Sequence, residues 1–285
     1  LSDGEIKESA MRKRFCWIFG MCLILSLSAC GELEESQEDG SSGQGDSAQI
    51  VQEETIDLSH IFQGKNGCAV LYSPGEDKYR YYQRDLCAQK ASPFSTFKII
   101  STLIGLQHGV VNDETSTMQY SGERYPNPKW NGNLTLQEAF QSSCIWYFRQ
   151  VIDGVGQEVV EQDLQSLHYG NCDITQWEGS GVNPSGELNG FWLDSSLKIS
   201  PLGRVQVLSH IFEGQSDFSP AHVEIVKKLL LVEDSGANQI YGKTGSGGGR
   251  AWFVGFAEEG GTREYFAIYF VDDMGASGEE AKEMA

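Results

Sequence analysis

The sequence is poor in positive charge. Its 285 residues hold 21 Lys and Arg against 40 Asp and Glu, a formal charge of -19 at pH 7. Contacts to a phosphate backbone need patches of Lys and Arg, so this balance argues against nucleic-acid binding. It argues equally against electrostatic attachment to anionic lipid, and its plain consequence is solubility. Several catalytic signatures are absent too. No G-x-S-x-G elbow, no H-E-x-x-H and no P-loop occurs, and "GSGGGR" misses the dinucleotide fingerprint at its last position. The seven cysteines (Cys16, Cys22, Cys30, Cys68, Cys87, Cys144, Cys172) form no C-x-x-C pair, so no zinc knuckle is expected and no metal site is assigned. The five histidines are scattered, and none neighbours a candidate nucleophile in sequence.

What is present begins with "MRKRFCWIFGMCLILSLSAC", starting at Met11. A basic start, about fifteen apolar residues and then small residues read as a secretory signal, too short for a comfortable membrane span. Residues 1–10 precede this plausible initiator and carry no fold information. Residues 31–55, "GELEESQEDGSSGQGDSAQIVQEET", have no Lys or Arg and almost no large apolar side chain. Such a stretch cannot bury a core and reads as an acidic, flexible tether. The expected organisation is therefore a leader and signal over residues 1–29, Cys30 and a tether over 30–57, and a globular domain over 58–285. Within that domain Cys68 and Cys87 flank a predicted hairpin, and a disulfide between them is one expectation. Cys144 and Cys172 read as small buried residues.

From residue 58 the pattern runs strand, helices, strands. "GCAVLYSPGEDKYRYYQ" reads as a hairpin turning at Pro74-Gly75. Phe97, Ile99, Ile100, Leu103 and Leu106 suit a buried helix, with Pro93 in its first turn. "LTLQEAFQSSCIWYFRQVI" reads as one helix capped by Asn133 or Thr135. "SPLGRVQVLSHIF" and "SPAHVEIVKKLLL" each open on the Ser-Pro of a helix start. "NQIYGKTG", "RAWFVGFAE" and "REYFAIYFVDD" read as strands joined by Gly-rich hairpins. "SGEEAKEMA" opens like a helix that the chain then cuts short. The fold class expected is α/β of the α+β kind: a central antiparallel sheet flanked by helices, with a helical subdomain from the middle of the chain.

"SPFSTFK" (92–98) holds Ser95 and Lys98 three residues apart. On a helix those positions share a face. A serine at a helix N-terminus has free backbone N–H groups beside it, and a lysine one turn deeper among apolar residues loses its proton easily, as a base must. On this motif alone, a capped helix with an incidental lysine explains the residues as well. The spacing recurs in Ser195-Ser196-Leu197-Lys198, which reads as structural. Three further stretches stand in order: "SCI" at 143–145, "YGN" at 169–171 followed by "FWLDSSLKIS", and "KTG" at 243–245.

Together these motifs resemble the class D, or oxacillinase-type, serine β-lactamases and the related β-lactam sensor domains. The resemblance runs over residues 58–285 and implies the serine β-lactamase/transpeptidase-like fold. It implies Ser95 as the nucleophile on the β-lactam carbonyl. Lys98 would be carboxylated by carbon dioxide to serve as general base, with no other cofactor. It further implies Ser143 as a proton relay to the leaving nitrogen with Lys243 beside it, and an oxyanion hole of the Ser95 and Ser246 N–H groups. Trp192 would support the carbamate, Ile145 and Leu193 would gate water, and Thr244 and Gly245 would line the substrate strand. The ending Leu27-Ser28-Ala29-Cys30 resembles a bacterial lipobox, which implies lipidation at Cys30 and anchoring to the outer face of the cell membrane; an ordinary signal cut after Ala29 is the alternative. In two places the chain departs from the family pattern: "VDDMGASGEEAKEMA" lacks the arginine often used to hold the substrate carboxylate, and "TQWEGSGVNPSGELNG" is longer than expected. The reading favoured is a hydrolytic β-lactamase that confers resistance, acting on β-lactam small molecules. The alternatives are a sensor domain that stays acylated and a penicillin-binding D,D-peptidase-like protein.

Overall fold

The computed structural model describes residues 51–285. The expected signal, the Cys30 lipidation site and most of the expected tether lie outside the described residues. The strands are β1 (Gln52–Thr55), β2 (Asn66–Ser73), β3 (Lys78–Tyr82), β4 (Thr117–Met118), β5 (Leu134–Thr135), β6 (Leu231–Asp234), β7 (Asn238–Gly247), β8 (Arg250–Glu259) and β9 (Thr262–Val271). The helices are α1 (Ser59–Phe62), α2 (Arg84–Cys87), α3 (Lys98–Gln107), α4 (Leu136–Gln141), α5 (Ile145–Val155), α6 (Gln157–Ser166), α7 (Pro201–Phe212), α8 (Pro220–Leu230) and α9 (Gly278–Glu283).

Seven strands form one sheet in the order β1-β3-β2-β9-β8-β7-β6, so both ends of the domain meet where β2 pairs with β9. Successive side chains of β7 point to opposite faces. One face carries Gly245 against the Pro93–Thr96 turn; the other carries Thr244 against Gly278 at the start of α9. Trp252, Val254 and Phe256 of β8 belong to the main buried core, where Phe256 meets Phe212 of α7. Helices therefore cover both faces of the sheet, and β8 reads as a near-continuous apolar run.

The central sheet, flanking helices and helical middle match the expected fold class, with local corrections. The sheet is not purely antiparallel, because β1 lies parallel to β3. That strand falls in residues expected to be tether. All four of its residues are exposed, and it is held by the ladder and by ion pairs from Glu54 to Lys78 at 2.7 Å and from Glu53 to Arg84 at 2.8 Å. Edge pairing needs no apolar face, which is why polarity alone misread it. Pro93 precedes its helix instead of opening it: Phe94–Phe97 form a 3₁₀ turn before α3. The single helix expected over 134–152 is two, α4 and α5. Thr135 caps α4 in a reciprocal box with Glu138. The helix then stops at Ser143, whose φ is 54°. The Cys144 N–H donates to Ala139 O at 2.8 Å and the Ser143 N–H to Phe140 O at 3.2 Å, the pairing of a Schellman cap with serine in the usual glycine position. Cys68 and Cys87 are free, buried thiols. Their side chains meet inside the core, where Cys87 and burial push the Cys68 thiol upward, and the Cys87 thiol donates to Ala69 O at 3.3 Å.

Candidate active site

Ser95 stands inside the 3₁₀ turn and Lys98 opens α3. The turn puts the two side chains on one side, and Lys98 Nζ lies 3.0 Å from Ser95 Oγ. Lys98 is fully buried, with Nζ 5.4 Å from the centre of the Phe148 ring. Burial holds its pKa well below the ordinary lysine range, and the positive charge of Lys243 pushes the same way. A neutral amine beside a serine hydroxyl can accept its proton.

Ser143 arrives from the turn between α4 and α5. Its left-handed backbone costs a non-glycine residue roughly 1–2 kcal/mol. The Schellman cap fixes that conformation and leaves the hydroxyl 2.5 Å from Lys243 Nζ on β7. Lys243 is 6% exposed, and burial lowers its pKa to about 8, opposed by Glu279. Its Nζ lies 5.7 Å from the Phe140 ring centre. Phe94, just before the nucleophile, and Asp194, just after Leu193, are also left-handed, at φ 49° and 47°. Strained backbone thus flanks three of the segments that meet here.

Trp192 is buried and stacks on Phe97 with ring centroids 5.7 Å apart. Its carbonyl accepts from the Phe94 N–H at 3.0 Å, which ties the Trp192 loop to the nucleophile turn. Its indole Nε1–H, a donor only, is buried without a hydrogen-bond partner. Leu193 and Ile145 are partly buried against the core. Ser246 is exposed on β7, and Gly245 is buried where a β-carbon would come within 2.9 Å of the Thr96 backbone N. That close approach requires glycine. The Thr244 side chain lies on the β7 face away from Lys243 and Gly245, packed against Gly278.

"YGN" and "SSLK" find structural places. Asn171 accepts from the Lys198 N–H at 2.8 Å and donates to Ser196 O at 2.9 Å. Lys198 reaches Ser92 Oγ at 2.7 Å, and Ser195 donates to Gln176 at 2.8 Å. The aromatic floor of Phe140 and Phe148 beneath the two lysines was missed in sequence. Its only signal was the i, i+3 spacing of Phe148 from Ile145, which any buried helix face shows. Among the described residues no cluster of three or more His, Cys, Asp or Glu could hold a metal ion.

The penicillin-binding protein transpeptidase domain family matches residues 52–285. The regulatory protein BlaR1 of Bacillus licheniformis is 32% identical over 225 residues, 77% of this chain, and the chain spans only 36% of BlaR1's length. The probable β-lactamase YbxI of Bacillus subtilis is 31% identical over 274 residues, 93% of each chain. A crystal structure of a class D β-lactamase from Bacillus subtilis superposes with a TM-score of 0.72 at 32% identity, covering 80% of this chain and 92% of that one. With this fold, and with Ser95–Lys98 and Ser143–Lys243 as facing pairs, the chain belongs to the penicillin-binding transpeptidase-domain family, in the class D β-lactamase-like branch that includes the BlaR1 sensor domain.

Proposed function

We propose that this domain hydrolyses β-lactams through an acyl-enzyme on Ser95. The observation that carries the reading is the 3.0 Å contact between Ser95 Oγ and a fully buried Lys98 amine. Ser95 Oγ adds to the lactam carbonyl as its proton passes to the Lys98 side chain, and the oxyanion rests on the Ser95 and Ser246 N–H groups. The C–N bond then breaks, and the leaving nitrogen takes a proton from Ser143 Oγ, which Lys243 replaces across their 2.5 Å contact. Water attacks the resulting ester, with Ile145 and Leu193 controlling its approach.

Carbon dioxide adding to a neutral Lys98 amine, with loss of one N–H proton, would give a carbamate anion that serves as general base for that water. Two features of the chain fit it: the depressed Lys98 pKa, and the unpartnered Trp192 N–H at the stacked Phe97 ring. A chromogenic cephalosporin tests the whole reading. Turnover is expected, bicarbonate should raise it, and Lys98→Ala should accumulate acyl-enzyme visible by intact mass.

A second reading has its own support. The similarity to BlaR1 is as high as that to YbxI, so a penicillin-binding sensor that stays acylated fits the same site. A single stoichiometric burst without steady state, in added bicarbonate, would select the sensor. We further propose export and lipidation at Cys30, from the "LSAC" signal ending. Cys30→Ala should shift the protein from the membrane fraction to the medium; an unchanged fractionation refutes the anchor.

A further inference from the structure

Arg204 is the least expected charge in the domain. It lies in the first turn of α7, where Ser200 caps the helix by accepting from the Gly203 N–H at 3.1 Å. Its side chain is 1% exposed. The guanidinium cannot shed its charge as a buried lysine can, and among the described residues no carboxylate pairs with it. It sits instead between two aromatic faces, 5.0 Å from the Tyr169 ring centre and 5.9 Å from that of Trp252. Its Nε finds no acceptor. An unpaired buried cation costs stability, so something local must offset it.

Among the described residues, its one side-chain hydrogen bond goes to Thr96 Oγ1, the side chain next to the nucleophile. Thr96 passes its own proton to Pro93 O at 2.6 Å, while its backbone N–H donates to the same carbonyl at 3.2 Å. The three atoms close the turn that carries Ser95. The same turn abuts Gly245 of β7, where Thr96 N, Thr96 Cγ2 and Pro93 O stand 2.9, 2.9 and 3.1 Å from a would-be β-carbon. Trp252 also reaches round to Ser92 O, 3.0 Å from its indole N–H. Arg204 thus braces the Ser95 turn through Thr96, and it lies beside Trp252, the β8 residue paired with Gly245 of β7.

We infer that Arg204 is a positioning residue for acylation: by donating to Thr96 it fixes the Pro93–Thr96 turn, and with it the aim of Ser95 Oγ and the Ser95 N–H. The inference rests on the Ser95 acyl-enzyme reading. Displacing a reacting group by about 1 Å from outside the site costs on the order of 100-fold in rate.

The test is single-turnover acylation by a chromogenic cephalosporin, with thermal unfolding alongside. Wild type must acylate first; if it does not, the acyl-enzyme reading fails and not this one. Arg204→Met should acylate about 10- to 100-fold more slowly while its Tm holds or rises, since a buried charge has gone. Arg204→Gln, which keeps a donor without the charge, should recover most of the rate. Thr96→Val removes the acceptor, and the Thr96→Val/Arg204→Met double variant should be no slower than the slower single variant. Wild-type acylation by folded Arg204→Met overturns the inference, as do losses in the two single variants that multiply. Should Arg204→Met not fold, Thr96→Val decides alone: unchanged acylation overturns the inference and slowed acylation with unchanged Tm supports it.

Discussion

Lys98 and Lys243 are amines forced into a dry interior, and that sets their pH behaviour. Burial brings Lys243 to a pKa of about 8. In the proposed role of proton source behind Ser143 it acts when charged, so kcat/KM should fall as pH rises through about 8, and Lys243→Arg, which keeps its proton, should move that limb upward. The stability consequence has the opposite sign. Below pH 8 folded and unfolded states both hold the Lys243 proton, and the buried ammonium destabilises the fold in full. Between 8 and an unfolded lysine value of about 10.4, only the unfolded state holds it, so this group's contribution rises with pH. The difference in unfolding free energy between wild type and Lys243→Met, measured from pH 7 to 10, should narrow across that window. Burial likewise holds Lys98 well below the ordinary lysine range. Lys98→Met should therefore raise Tm, and on the proposed mechanism it should abolish deacylation; a lower Tm would contradict the burial argument.

At the scale of elements, the site depends on how helices begin and end. Ser143 is delivered by a Schellman cap in which glycine would be more comfortable. Ser143→Gly and Ser143→Ala both lose the hydroxyl and should both slow acylation. Only the alanine retains the left-handed strain, so chemical denaturation should find the glycine variant more stable by about 1 kcal/mol. Equal stability would mean that the cap relaxes. The capping box at Thr135 sets the other end of α4, and its loss in Thr135→Ala should cost about 1 kcal/mol, with acylation falling only if Ser143 moves with the helix. The strand β1 is another such element. Removing residues 51–57 forfeits the Glu53–Arg84 and Glu54–Lys78 pairs and the β3 ladder, and Tm should fall by a few degrees relative to a chain starting at Val51.

Over the whole molecule, the charge of -19 would oppose the anionic β-lactams of the proposed reading. Like-charge repulsion slows encounter and salt relieves it, because the screening length shrinks from about 30 Å at 0.01 M to about 10 Å at 0.1 M. The second-order acylation rate should rise with added sodium chloride; a fall would mean that the Lys243 neighbourhood dominates the approach. The sequence by itself determined the fold class, the β2–β3 hairpin, the closing strands β7 to β9 and the helices α3, α7 and α8, and it singled out Ser95, Lys98, Ser143 and Lys243 as candidates, because apolar periodicity and motif order are local patterns. It could not deliver β1, whose pairing leaves every residue exposed, nor the break at Ser143, where a Schellman cap holds a serine in the left-handed conformation that glycine usually signals. Only the tertiary structure decided that two lysines 145 positions apart are buried within reach of each other's charge, that Trp192 holds an unpaired donor and that Arg204 bonds the side chain next to the nucleophile. Burial and close approach belong to the packed assembly, and no local stretch of chain encodes them.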